Sequence, residues 1–156
     1  MRPWNRSETE GLVADEDGSA ALEFIVVGLL MLIPLVYLVI TLGLVQEQTL
    51  GAEAAARHTA RVIGQAPDAA AAAASAEAVL DNVIREYGMD AGHVAVDMQC
   101  VQTTGSCPEP GATVVVTVTA RVSLPFIPPI LGLDEIAAIP IEAQAAQKVS
   151  RLWGSE

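Results

Sequence analysis

Positive charge is scarce in this 156-residue chain: 8 Lys and Arg stand against 19 Asp and Glu, for a formal net charge of -11. A surface that binds phosphates must be basic, so nucleic acid is not expected as a partner. Aromatic residues make up only 4% and histidine occurs twice, as His58 and His93. Missing too are a G-x-S-x-G elbow, a glycine-rich phosphate loop and a cluster of metal-ligand residues, so no enzyme, metal or cofactor is expected. Cysteine also occurs only twice, as Cys100 and Cys107. Two thiols without a second nearby pair fall short of the four ligands of a structural metal site.

What the chain has in excess is aliphatic. Half of it is apolar (52%), and its mean hydropathy is +0.43. Much of that sits in one stretch, Phe24 to Val45, which reads FIVVGLLMLIPLVYLVITLGLV, 22 residues without a charge. At ~1.5 Å per residue such a helix reaches about 33 Å, enough to cross a hydrocarbon core of ~30 Å. A core helix of a small domain is seldom apolar all round for six turns. A cleaved secretory signal would have a shorter apolar part and a small-residue cut site. The run is therefore expected to be a retained membrane anchor. Pro34 removes one backbone hydrogen bond within it and should bend it modestly. Gly28, Thr41 and Gly43 offer small patches where another helix could approach. Arg2 and Arg6 precede the run, and Arg57 and Arg61 follow only after twelve or more residues. This places the N-terminus inside and the C-terminal part outside the cytoplasmic membrane. In that setting Cys100 and Cys107 are expected to form a disulfide.

Ahead of the run stands DEDGSAALEF, Asp15 to Phe24. Gly18, four small or apolar residues, then Glu23 and Phe24 and a long apolar helix resemble the processing signal of type IV prepilins. The Glu-Phe pair in particular is similar to that of Tad (tight adherence) pili. The length and layout resemble the TadE-like pseudopilins of that branch, and AAARHTAR looks like their Ala/Arg-rich segment after the anchor. The resemblance implies a prepilin peptidase cutting between Gly18 and Ser19, partner pilins and pseudopilins, and a pilus assembly platform. It departs in one respect: such leaders are generally basic near the cut, whereas Asp15, Glu16 and Asp17 stand here.

The pairing that follows can be argued physically. Cutting would leave an ammonium on Ser19 at the membrane edge. A carboxylate and an ammonium are each expensive near lipid and tolerable together, so Glu23 is expected to pair with that amine and set subunit register.

Beyond the membrane the pattern stays helical. QEQTLGAEAAARHTARVIGQ is rich in helix formers and carries Glu53 and Arg57 at i,i+4, so one helix is expected from about Ser19 to Ile63, stopped at Gly64. The segment after the anchor reads as a solvated amphipathic helix. Asp68 is an expected N-cap for a second helix over 69–87, ended by Gly88. Val94 to Cys100 alternates as a half-buried strand, and 112–124 is the densest β-branched run. A proline-broken crossover, 125–136, leads to a third strand over 136–149.

The expected fold is thus α+β: a long N-terminal transmembrane helix, a second helix, and a small three-stranded antiparallel sheet with one face on helix 69–87. By segments this gives a leader over 1–18, an anchor over 19–45, its extension over 46–64, a head over 68–150 and a tail over 151–156. Residues 113–119 hold neither charge nor proline. Read as an exposed edge, they are expected to take up a strand from a partner subunit near Thr117 and Thr119. The expected function is that of a minor pseudopilin in pilus assembly and adhesion. The alternative is an uncleaved single-pass protein whose outer head binds a partner.

Overall fold

The computed structural model describes residues 10–101, 105, 107–127, 130, 132 and 136–154, with side chains from Ala20 onward. Among these residues two helices and three strands follow one another: α1 (Glu10–Gln65), α2 (Ala69–Glu86), β1 (Val94–Val101), β2 (Thr113–Val122) and β3 (Ile139–Lys148), with a 3-10 turn at Ala91–His93. The chain divides into two compact units, one up to Ile40 and the other from Thr41.

Helix α1 runs unbroken for 56 residues with Pro34 inside it. It starts earlier than the expected Ser19: Glu10, Leu12, Ala14 and Glu16 are good helix formers, and Gly11 and Gly18 cost only ~1 kcal/mol each against them. Its other end reaches Gln65, so Gly64 lies inside the last turn and does not stop the helix. That glycine serves a different purpose. A Cβ there would come within 2.6 Å of Gln147 Cγ and 3.0 Å of the Lys148 carbonyl oxygen. Close approach of the third strand requires its absence.

Helix α2 is bounded as its sequence suggests. Asp68 accepts a hydrogen bond from the Ala71 N–H at 2.8 Å, which satisfies one of the orphan donors at the start of any helix. At the other end Gly88 has φ +59, and the Met89 N–H donates to the Ile84 carbonyl at 2.9 Å. A left-handed residue here is what lets the chain close a Schellman-type cap.

The three strands form one antiparallel sheet in the order β1-β2-β3. This corrects one expectation. Residues 113–119 belong to the central strand, hydrogen-bonded on both sides, so Thr117 and Thr119 offer no free edge for a partner strand. A β-branched run free of charge and proline is what a central strand can hold, because both of its backbone rows are used. Charge and proline fall on an outer strand instead: Pro140, Glu142 and Lys148 are in β3.

The second correction concerns what covers the sheet. Val114, Val116, Val118, Ala120 and Val122 alternate along β2 as buried residues. The first four of them share a core cluster with Ala52, Ala55, Ala56, Ala60 and Ile63 of α1 as well as Ala72 and Val83 of α2. The 46–64 extension is therefore a principal wall of the head. Its buried positions recur at spacings of three and four, while Arg57, His58 and Arg61 on the opposite side remain exposed. Two further ties close the layer. The Ser150 N–H donates to the Gly64 carbonyl (3.0 Å) and the Gly154 N–H to the Pro67 carbonyl (2.7 Å), pinning the end of the third strand to the turn between the helices. Of the 125–136 crossover, Phe126 and Gly132 adopt positive φ, whereas Pro128 and Pro129 lie outside the described residues.

Gly51 shows how tight this packing is, since a Cβ there would lie 2.8 Å from Tyr87 Cβ and 3.0 Å from Met89 Sδ. Gly51→Ala is expected to destabilise the head by about 1–3 kcal/mol through overpacking, despite alanine's better helix propensity. Gly28→Ala, with nothing within 4 Å of the added carbon, should leave the head's midpoint unchanged. Urea unfolding of both variants in detergent micelles measures the difference.

Candidate functional site

The most unusual surface of this chain is the apolar part of α1. From Leu22 to Leu42 its large aliphatic side chains and Phe24 are exposed, Phe24 at 80%, and only Tyr37 among the large ones is half-buried. None of its eighteen most apolar consecutive residues is buried. At about 25 cal/mol per Å² of apolar surface, leaving this much aliphatic area in water opposes solubility strongly. The helix is long and apolar enough to cross a membrane, and a bilayer is the environment that suits a helix apolar all round.

Glu23 sits at the start of this surface, exposed, with no salt bridge or hydrogen bond among the described residues. Ser19 lies four positions earlier in the same helix, about one turn back along the backbone. Gly18 and Ser19 are both within the helical backbone. Phe24 projects from the apolar surface itself. A Cβ added at Gly28 or Gly43 would meet nothing within 4 Å, so both small patches are open. The Thr41 hydroxyl is buried and has no hydrogen-bond partner among the described residues.

In the head, Cys100 and Cys107 form a disulfide with a Cα–Cα distance of 5.6 Å. Cys100 stands opposite Val114 in the β1–β2 ladder, so the bond joins the end of β1 to the hairpin connection. Residues 102–104 and 106 of that connection lie outside the described residues. The bond closes a loop of seven-residue separation, a short loop by the measure of chain entropy.

His58 is exposed on α1, and His93 Nδ1 faces Asp90 Oδ2 at 3.2 Å, three residues away. An open hollow of about 590 Å³ runs past His93, Thr119, Arg121 and Glu142 at one end of the sheet. Among the described residues no group of three or more His, Cys, Asp or Glu could hold a metal ion.

A second hollow, about 330 Å³, is not legible in the sequence. Ala69, Ala73 and Ala76 of α2, Thr59 of α1, and Val96 and Met98 of β1 line it. Its only local signal is the Ala69–Ala74 run, and nothing in that run says which strand it will face. Comparison of the chain with protein-family models, with curated proteins and with solved structures yields no match.

Removing the disulfide by Cys100→Ser with Cys107→Ser is expected to cost ~2–3 kcal/mol for so short a loop, and leave membrane association intact. Paired thermal melts and alkaline carbonate extraction of membranes read the two outcomes separately.

Proposed function

We propose that this chain is a membrane-anchored, pilin-like subunit, a minor pseudopilin that is cut after Gly18 and joins like helices in a Tad-type pilus. One observation carries the reading: the apolar part of α1 presents an unburied, all-round aliphatic surface directly ahead of a small disulfide-bonded head. Such a helix serves lipid first and sister helices afterwards, since packing between helices replaces lipid contacts at little hydrophobic cost. The head stands outside the cytoplasmic membrane, where a disulfide persists.

In this reading the prepilin peptidase generates the Ser19 ammonium one helical turn from Glu23. The pair neutralises both charges at the membrane edge, within one subunit or between neighbours, and fixes the axial register of assembly. Phe24 and the open glycines 28 and 43 give the contact surface of the anchor. The mature chain carries 6 basic and 14 acidic residues, a net -8, so its head meets anionic surfaces only through bridging cations.

A second reading is supported by the continuity of α1 through Gly18 and Ser19. A helical junction must open locally before a protease can grip it, which favours an uncleaved single-pass protein whose outer head binds a partner.

Intact-mass spectrometry of the chain co-produced with a prepilin peptidase separates the two. A product beginning at Ser19 supports the first reading, and an intact 1–156 chain supports the second. Glu23→Ala is expected to mature but to lose co-assembly with partner pilins. Wild-type levels of co-assembly in that variant would sink the register role.

A further inference from the structure

The sheet has two outer strands, and they are not equally protected. β3 carries Pro140, Glu142 and Lys148, features that discourage further pairing. β1, VAVDMQCV, has no proline and a single charge, Asp97. One of its backbone rows pairs with β2. The other row has no backbone partner among the described residues.

The side chains of β1 tell the same story. Val96 stands opposite Val118 and Met98 opposite Val116, so all four point to the same face of the sheet. Both β2 valines are fully buried, yet Val96 remains 39% and Met98 40% exposed. The helix layer does not seal this side because α2 turns alanines toward it, leaving the apolar groove of about 330 Å³. An apolar cavity of about 150 Å³ corresponds to one large deleted side chain, so the groove has room for about two. At its floor the Thr59 side chain is buried, 2% exposed, with its hydroxyl unpartnered among the described residues. Among the described residues no charged side chain lines the groove, and the elements around it are acidic on balance: α2 and β1 carry Glu77, Asp81, Glu86 and Asp97 against Arg85, while the neighbouring stretch of α1 adds Glu53, Arg57 and Arg61.

We propose that the free edge of β1 and the groove beside it accept an extended segment of another protein as a fourth strand. The unpaired backbone row specifies a β-strand, because only another extended chain can satisfy donors and acceptors at that repeat. The groove specifies aliphatic residues at alternate positions of that strand. The acidic surroundings specify basic residues at the positions between and at its ends. The same charge disfavours a second copy of this chain as the occupant, since its own β1 and α2 bring like charges together. The groove belongs to the head alone and stands whether or not the anchor enters a fibre.

The test uses the full chain in phosphatidylcholine nanodiscs and a fluorescent nine-residue peptide, Lys-Val-Thr-Val-Lys-Val-Thr-Val-Lys. Saturable binding is expected, at least about tenfold weaker for a twin with Glu in place of Lys and absent for a twin with Pro at the central valines. Ala73→Leu, which fills the groove from an exposed position of α2, should weaken binding by about tenfold or more. Val96→Lys provides the same check from the strand side if A73L folds poorly. The amides of β1 should exchange at least about tenfold more slowly with peptide present. The inference is overturned by absence of saturable binding up to roughly 1 mM, by equal binding of the Pro twin or of empty nanodiscs, or by indifference to both variants. It is equally overturned if the chain dimerises through β1 and the peptide does not compete.

Discussion

A seam of small side chains holds this molecule together. Ala52, Ala55, Ala56 and Ala60 on α1 share a core with Val114, Val116 and Val118 on β2, and none of these residues is large. Small residues let a helix lie close to a sheet, and close approach recovers by dispersion what the side chains lack in area. The same demand explains Gly51 beneath Tyr87 and Gly64 beneath Gln147. It also leaves little tolerance, because a seam built on contact distance cannot absorb an added carbon as a looser core of leucines could.

The seam gives α1 two characters. Between Leu22 and Leu42 the helix exposes aliphatic side chains, while its part within the head is amphipathic, with one stripe buried and Arg57, His58 and Arg61 outside. No break in the helix marks the change. The solvent each half is suited to is written in composition alone, with leucine, isoleucine and valine before Val45 and alanine with charged residues after it.

Much of this is legible in the sequence, since it depends on local chemistry. The anchor follows from an uncharged run, the second helix from Asp68 and Gly88, the strands from period-two alternation, and the Cys100–Cys107 bond from the count and setting of the thiols. What is not legible is relational. Strand order is not local: the uncharged 113–119 run reads as an exposed edge, whereas its purity marks it as the centre. The stripe at 52, 55, 56, 59, 60 and 63 has regular helical spacing, yet alanine and threonine carry a weak hydrophobic signal, so it reads as solvated. The groove beside β1 depends on where α2 comes to lie, which no window of sequence contains. Gly64 reads as a helix stop because that is the commoner use of glycine near a helix end. Here tertiary contact with the third strand outweighs it.

The tie from Ser150 to Gly64 spans more than half the chain. The β1–β2 hairpin is assembled from neighbours and the helices that cover its valines precede it, but the second edge of β2 stays unpaired until β3 and the residues after it have been made. Loop closure over such a distance is slow compared with hairpin formation. During synthesis the open edge of β2 therefore waits on the last part of the head to emerge, an interval in which a chaperone or a nearby surface has its opportunity.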